Sequence, residues 1–126
     1  MIRGIRGATT VQTNDREEIV ERAYEMMMDL IDKNKVEAKN VVSVLFSATA
    51  DLNAAFPAKS LRKIEGWTYV PVMCMQEIKV PDALPKCVRV MVTAETELQQ
   101  DQVEHIYHYN ARKLRPDLQK PKGELS

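Results

Sequence analysis

The chain has 126 residues, the usual size of one compact domain, and its 18 basic and 18 acidic side chains give a formal net charge of zero. A neutral balance lacks the basic excess of nucleic-acid and membrane-surface proteins, and no apolar run approaches the ~20 residues of a membrane span, so neither partner is expected. Nothing at the start resembles a signal segment, and the two cysteines, Cys74 and Cys87, form no C-x-x-C or zinc-ligand pattern, so a single cytoplasmic domain over residues 1–126 with reduced thiols is expected.

Residues 2–11, IRGIRGATTV, read as a first strand interrupted by Gly4 and Gly7. Glycine in a strand marks close approach by another backbone or a ligand. Arg3 and Arg6 are separated by an odd number, so a regular strand points them to opposite faces, one of them inward or into a subunit contact. Residues 14–34 carry the clearest helical pattern. Ile19, Val20, Ala23, Met26, Met27, Leu30 and Ile31 fall on one stripe with charge opposite. Asn14 or Asp15 can cap this helix, and Glu17 and Glu18 suit the positive end of its dipole.

The β-branched run VVSVLFSAT, 41–49, reads as a strand covered on both faces. Pro57 and Gly66 bracket a short helix. YVPVMCMQE, 69–77, is a third strand whose Pro71 indicates an edge or a bulge. Residues 79–85 are loop, KCVRVMVTAE (86–95) is a fourth strand, and VEHIYHYN (103–110) a fifth. From about residue 112 a polar tail with two prolines follows, and its last residues are expected to be poorly ordered. This order predicts an α+β fold, a mixed five-stranded sheet with one long and one short helix. Two helices cannot cover both faces of such a sheet, and a homo-oligomer would cover the other.

The candidate chemistry is sparse. His105 and His108 have no accompanying carboxylate-histidine motif and read as structural histidines rather than metal ligands. Cys74 and Cys87 read as small apolar fillers. There is no nucleophile elbow, phosphate loop or dinucleotide fingerprint. Arg6, Glu77 and Arg89 remain, each in or just past an apolar strand. They can form a structural ion pair. They can also form an anion pocket, because the guanidinium fork binds carboxylate bidentately.

Five segments in order, IRGIRGATT, LFSATADLNAAFPAK, GWTYVPVMCMQE, KCVRVMVT and LRPDL, resemble the small monofunctional chorismate mutases of the AroH class, over residues 2 to about 118. The resemblance implies a trimeric pseudo-α/β-barrel with active sites between subunits. The implied reaction is the unimolecular rearrangement of chorismate to prephenate, with no cofactor and no metal. It further implies that Arg6, assisted by Tyr107, binds the enolpyruvyl carboxylate, and that Arg89 contacts the ether oxygen. Glu77 and the backbone of Cys74 would hold the ring hydroxyl. Phe56, Ala58, Lys59 and Arg62 would come from the adjoining subunit, and Leu114 and Arg115 would fold over the mouth. Met73 stands where family members carry threonine, which removes a polar side-chain contact. Two other readings stay open: a trimeric carboxylate-binding module without turnover, served by the same arginines but leaving Glu77 no task, and a RidA-type imine deaminase, which also uses an arginine on a carboxylate and against which CMQE and LRPDL speak.

Overall fold

In the computed structural model, which describes residues 1–118, the chain runs β1 (Ile2–Thr10), α1 (Arg16–Asn34), β2 (Val41–Ala48), β3 (Val72–Gln76), β4 (Cys87–Glu95) and β5 (Ile106–Tyr107). Short 3₁₀ helices occupy Ala38–Asn40, Pro57–Lys63, Tyr109–Lys113 and Pro116–Leu118. The strands form one sheet in the order β3-β2-β4-β1-β5. β4 lies at its centre, antiparallel to β1 and β2, while β2–β3 and β1–β5 are parallel pairs. The mixed five-stranded α+β sheet is the one the element order predicts.

The core lies between α1 and one face of the sheet. Ile19, Ala23, Met26, Met27 and Leu30 are fully buried, as are Ile5, Val44, Phe46, Val88 and Val92 facing them. Helix and sheet are in close contact at Gly7. A Cβ there would stand 3.0 Å from Val90 Cγ1 and 3.1 Å from Met26 Sδ, so the glycine is needed for packing. At the start of α1, Asp15 caps by accepting from Glu18 N at 3.0 Å. Glu18 reaches back to accept from the backbone N–H groups of Gln12 and Thr13, each at 3.0 Å, a reciprocal arrangement that fixes the β1–α1 corner. Asn14, the other candidate cap, ties down a distant loop instead, accepting from Asn53 N and Ala54 N.

Three expectations need correction. β2 is covered on one face only: Val44 and Phe46 are buried, but Val42 is 52% and Leu45 40% exposed. Both α1 and the Pro57–Lys63 turn pack on the same side of the sheet, so half of the apolar run faces outward. The bracketed short helix is 3₁₀ rather than α, with Ser60 Oγ back-bonded to Pro57 O at 2.7 Å, and Gly66 (φ 89°) turns the chain beyond its end. The fifth strand is only Ile106–Tyr107, because Tyr109 takes a left-handed backbone (φ 53°) and ends the pairing. Pro71, by contrast, immediately precedes edge strand β3, as its missing N–H requires. The C-terminal residues expected to be poorly ordered include 119–126, which lie outside the described residues.

On the face away from α1, Leu45, Met73, Met75 and Met91 are 37–65% exposed. A small second cluster of Ala8, Cys87, Tyr107 and Ala111 is covered by Leu84 and Leu114.

The Glu18 clamp has a testable acid signature. Its backbone hydrogen bonds from Gln12 and Thr13 hold the carboxyl below the usual carboxylate range. The folded value is depressed, so the stabilisation is complete above the ordinary glutamate value and is lost as pH falls through the lowered one. Glu18→Gln is expected to cost about 1 kcal/mol at pH 7, the scale of a lost cap. The difference in melting temperature from the parent should close as pH falls through the lowered value. A difference that persists at full size in acid would contradict this account.

Candidate active site

Arg89 lies between Val88 and Val90, both buried against α1. Strand alternation therefore sends its side chain to the face that α1 leaves uncovered. Register sets its neighbours: Ser47 pairs with both Met75 and Arg89, and Ala8 pairs with both Arg89 and Tyr107. Met75, Ser47, Arg89, Ala8 and Tyr107 thus form one row across all five strands. Arg6, opposite Met91, stands in the next row. Ala8 is the small member of its row, and the space above it is a cavity of about 190 Å³ lined by Arg6, Arg89, Tyr107, Ser47, Met75, Met91 and Leu114 among others.

Glu77 follows the end of β3, where its N–H donates to Ala48 O at 2.9 Å. Its carboxylate accepts from Ser47 Oγ at 3.1 Å and from Ile78 N at 3.2 Å. Glu77 Oε2 also lies 3.5 Å from Arg89 Nε, with the two side chains 30% and 35% exposed. That contact is an ion pair but not a hydrogen bond, since Arg89 Nε is buried without a hydrogen-bond partner. A partly exposed pair of this length contributes at most about 1 kcal/mol, whereas an orphaned buried donor costs about 1–3 kcal/mol. The pair orients Arg89 more than it stabilises the fold, so a purely structural role does not account for it. The Tyr107 hydroxyl is likewise buried and unpartnered. Two of the three orphaned side-chain polar atoms found among the described residues therefore belong to residues lining this one cavity. A ligand that accepts hydrogen bonds would complete them.

The remaining expected residues lie elsewhere on the chain. Phe56, Lys59 and Cys74 line a second cavity of about 510 Å³, which shares Phe46, Ser47 and Met75 with the first. Lys59 also lines a third, of about 860 Å³, together with Arg62 and the first turns of α1. Ala58 packs against the main core. Met73 is 65% exposed, in the row of Arg6, Met91 and Leu45. Arg115 pairs with Asp117 at 2.9 Å. The single chain brings Arg6, Arg89, Tyr107 and Leu114 into one cavity with Glu77 at its border, and leaves Phe56, Lys59 and Arg62 outside it. Ser47, Met75 and Met91 were not singled out by sequence. The even spacing of Leu45 and Ser47 within β2 was the available signal.

The two histidines have structural tasks, and the two cysteines are not set up as nucleophiles. His105 Nδ1 accepts from Arg6 N at 2.9 Å, and His108 Nε2 lies 2.8 Å from Asp29 Oδ2. Burial pushes both the Cys74 and the Cys87 thiols up, away from the thiolate a nucleophile needs. Among the described residues no group of three or more His, Cys, Asp or Glu is placed to hold a metal ion. What the site offers is two guanidinium groups and a phenol lining one cavity, which suits binding an anion and stabilising negative charge.

The chain matches the family model "Chorismate mutase type I" over residues 2–118. It is 50% identical over 118 residues to chorismate mutase AroH of Bacillus subtilis (strain 168), covering 94% of this chain and 93% of that protein. The corresponding enzyme of Thermus thermophilus is 38% identical over 120 residues, covering 94% of this chain and 98% of that protein. A solved chorismate mutase from Clostridium thermocellum superposes with a TM-score of 0.84 at 41% identity, covering 87% of this chain and 97% of its own.

The orphaned phenol gives a stability prediction independent of activity. Tyr107→Phe removes a buried hydroxyl without a partner and keeps the ring, so its melting temperature should equal or exceed that of the parent. A clear loss of stability would mean that the hydroxyl is already satisfied in the folded protein.

Proposed function

The chain belongs to the type I chorismate mutase family, and on that premise we propose that Arg6, Arg89, Tyr107 and Glu77 form the catalytic part of a site that rearranges chorismate to prephenate, for phenylalanine and tyrosine synthesis. The observation that carries this assignment is the pair of orphaned groups, Arg89 Nε and the Tyr107 hydroxyl, beside Arg6 in one cavity. The imine-deaminase reading has no support from the family model or from the two curated relatives named above, both chorismate mutases.

The rearrangement breaks a C–O bond and forms a C–C bond within one molecule, with no proton transferred in the chemical step. Its transition state is more charge-separated than its ground state, with negative charge gathering on the ether oxygen. Arg89 is a fixed cation aimed at that oxygen, held by the register of β4 and oriented by Glu77, so no reorganisation is needed as charge develops. Arg6 and Tyr107 take the enolpyruvyl carboxylate and hold the substrate in its compact conformer. Glu77, with the backbone of Cys74, takes the ring hydroxyl. Even modest enzymatic acceleration requires about 8 kcal/mol, and one oxyanion-type donor supplies about 3–4 kcal/mol, so Arg89 acts together with conformational restriction.

The site is completed by a second copy of the chain in a homotrimer. Three observations support this. The sheet face carrying Arg89 also carries the exposed Leu45, Met73, Met75 and Met91. The cavity of about 190 Å³ is smaller than the ~300–1,000 Å³ of ligand pockets, so it needs a further wall. Phe56, Lys59 and Arg62 lie outside it on their own chain. Phe56, Ala58, Lys59 and Arg62 of a neighbour supply the missing wall, and Leu114 and Arg115 cover the mouth. Met73 contributes apolar contact in place of a hydroxyl. No described helix is long and apolar enough to cross a membrane, and we place the enzyme in the cytoplasm with its water-soluble substrate.

Loss of chorismate absorbance on adding purified protein tests turnover directly and separates an enzyme from a carboxylate-binding module. Mixing Arg6→Ala chains with Arg62→Ala chains tests the division of the site. Each variant alone should be impaired, and mixed trimers should regain activity at interfaces where an intact Arg6 meets an intact Arg62. No recovery in verified mixed assemblies would mean that one chain supplies both residues.

A further inference from the structure

Beyond β5 the chain must turn sharply before Leu114 can reach the cavity. His108 N donates to Ala8 O at 2.9 Å, and Asn110 N donates to Thr10 Oγ1 at 3.2 Å. Between these two anchors Tyr109 adopts φ 53°, a left-handed conformation unfavourable for a bulky residue. Other positive-φ positions are a helix cap, Lys35, and turns at Asp82, Lys86 and Gly66; Tyr109 is the one aromatic residue among them. Such a conformation persists where the surroundings hold it.

The surroundings here belong to α1. The Arg22 guanidinium carbon lies 3.6 Å from the centroid of the Tyr109 ring, and the Tyr109 hydroxyl donates to Glu25 Oε2 at 3.0 Å. The Glu25 hydrogen bond also pushes the Tyr109 phenol up. Arg22 is itself fixed, donating to Thr10 O at 2.6 Å and pairing with Glu18 at 3.3 Å. Asp29, further along the same stripe of the helix, holds His108 at 2.8 Å. Beyond the turn, Tyr109–Lys113 is one short 3₁₀ segment, Ala111 is fully buried, and Leu114 N donates to Ala111 O at 3.0 Å. A change of direction at Tyr109 is therefore carried to Leu114, which lines the cavity with Arg6 and Arg89.

We propose that Tyr109 is a positioning residue for substrate binding: its ring, clasped on α1 by Arg22 and Glu25, pins the left-handed turn that brings Leu114 against the cavity. The pin lies outside the cavity and touches no reacting atom. Its role for substrate rests on the chorismate mutase reading given above, while its role in placing the tail does not.

Tyr109→Gly removes the clasp but tolerates the left-handed backbone, so it separates the ring contacts from backbone strain. This variant should raise KM by about five- to tenfold, the scale of a lost cation–π contact and hydrogen bond, with kcat changed by less than about twofold. Tyr109→Phe keeps the ring against Arg22 and should hold KM within about twofold of the parent. In the ligand-free protein, trypsin should cut after Arg112 or Lys113 faster in Tyr109→Gly than in the parent. A lowered melting temperature with unchanged KM and unchanged cleavage would make Tyr109 merely structural and overturn the proposal. If the parent protein fails to turn over chorismate, the functional reading falls, and the trypsin rates still decide whether Tyr109 pins the tail.

Discussion

The pairing register between β1 and β4 is the constraint on which the site depends. It sets Ala8 opposite Arg89, and with β5 it sets Tyr107 on the other side of the same alanine. The smallest side chain of the row is thereby flanked by a guanidinium and a phenol, and all three line the cavity. A slip of one residue in β4 would turn Arg89 under α1, among fully buried methionines and leucine, where an unpaired charge is prohibitive. The apolar packing of Val88, Val90 and Val92 against α1 therefore specifies the register, and the register aims the arginine.

The two faces of the sheet follow different physical rules. The α1 face is filled to the point where Gly7 has no room for a methyl group. The other face keeps two buried polar atoms without partners and three exposed methionines, Met73, Met75 and Met91. Each orphan reduces stability, and a tightly packed opposite face can bear that loss. A fixed cation beside a dry phenol is a poor contributor to folding and a good contributor to electrostatic stabilisation, because it is already oriented before charge develops. A unimolecular rearrangement needs little else: a held conformer and a positioned charge. The cysteine thiols, pushed toward their neutral form, and the histidines, tied to Arg6 N and Asp29, are consistent with that short inventory.

Much of this was legible in the sequence, and the limits were physical. The stripe on α1 and its capping residues are local, and they were read correctly from spacing. An arginine inside an apolar strand was the clearest functional signal, since alternation alone forces Arg89 away from its buried neighbours. The apolar run of β2 predicts cover on both faces and receives it on one, because such a run looks the same whether its second face meets a helix or is left bare. The fifth strand is shorter than its sequence pattern predicts, because Tyr109, in contact with Arg22 and Glu25 of α1, turns the chain away, and no local pattern carries those contacts. Ser47 and Met75 are hard to single out in the sequence for a related reason. They join the site through cross-strand pairing with residues far away in sequence. The roles of Arg6, Tyr107 and Glu77 rest on family resemblance, because composition alone favours a structural ion pair over an anion pocket.

The central claim is that the positive charge of Arg89 acts on the transition state rather than on the fold. Replacing Arg89 with citrulline keeps the planar shape and some of its donors while removing the charge. Melting temperature, substrate affinity and kcat should then be measured on one preparation. The account predicts a fall in kcat of about 10²-fold or more, the scale of losing an oxyanion donor, with little change in stability or affinity. A variant that loses stability while its folded fraction retains full kcat would show that Arg89 serves the structure and would contradict the account.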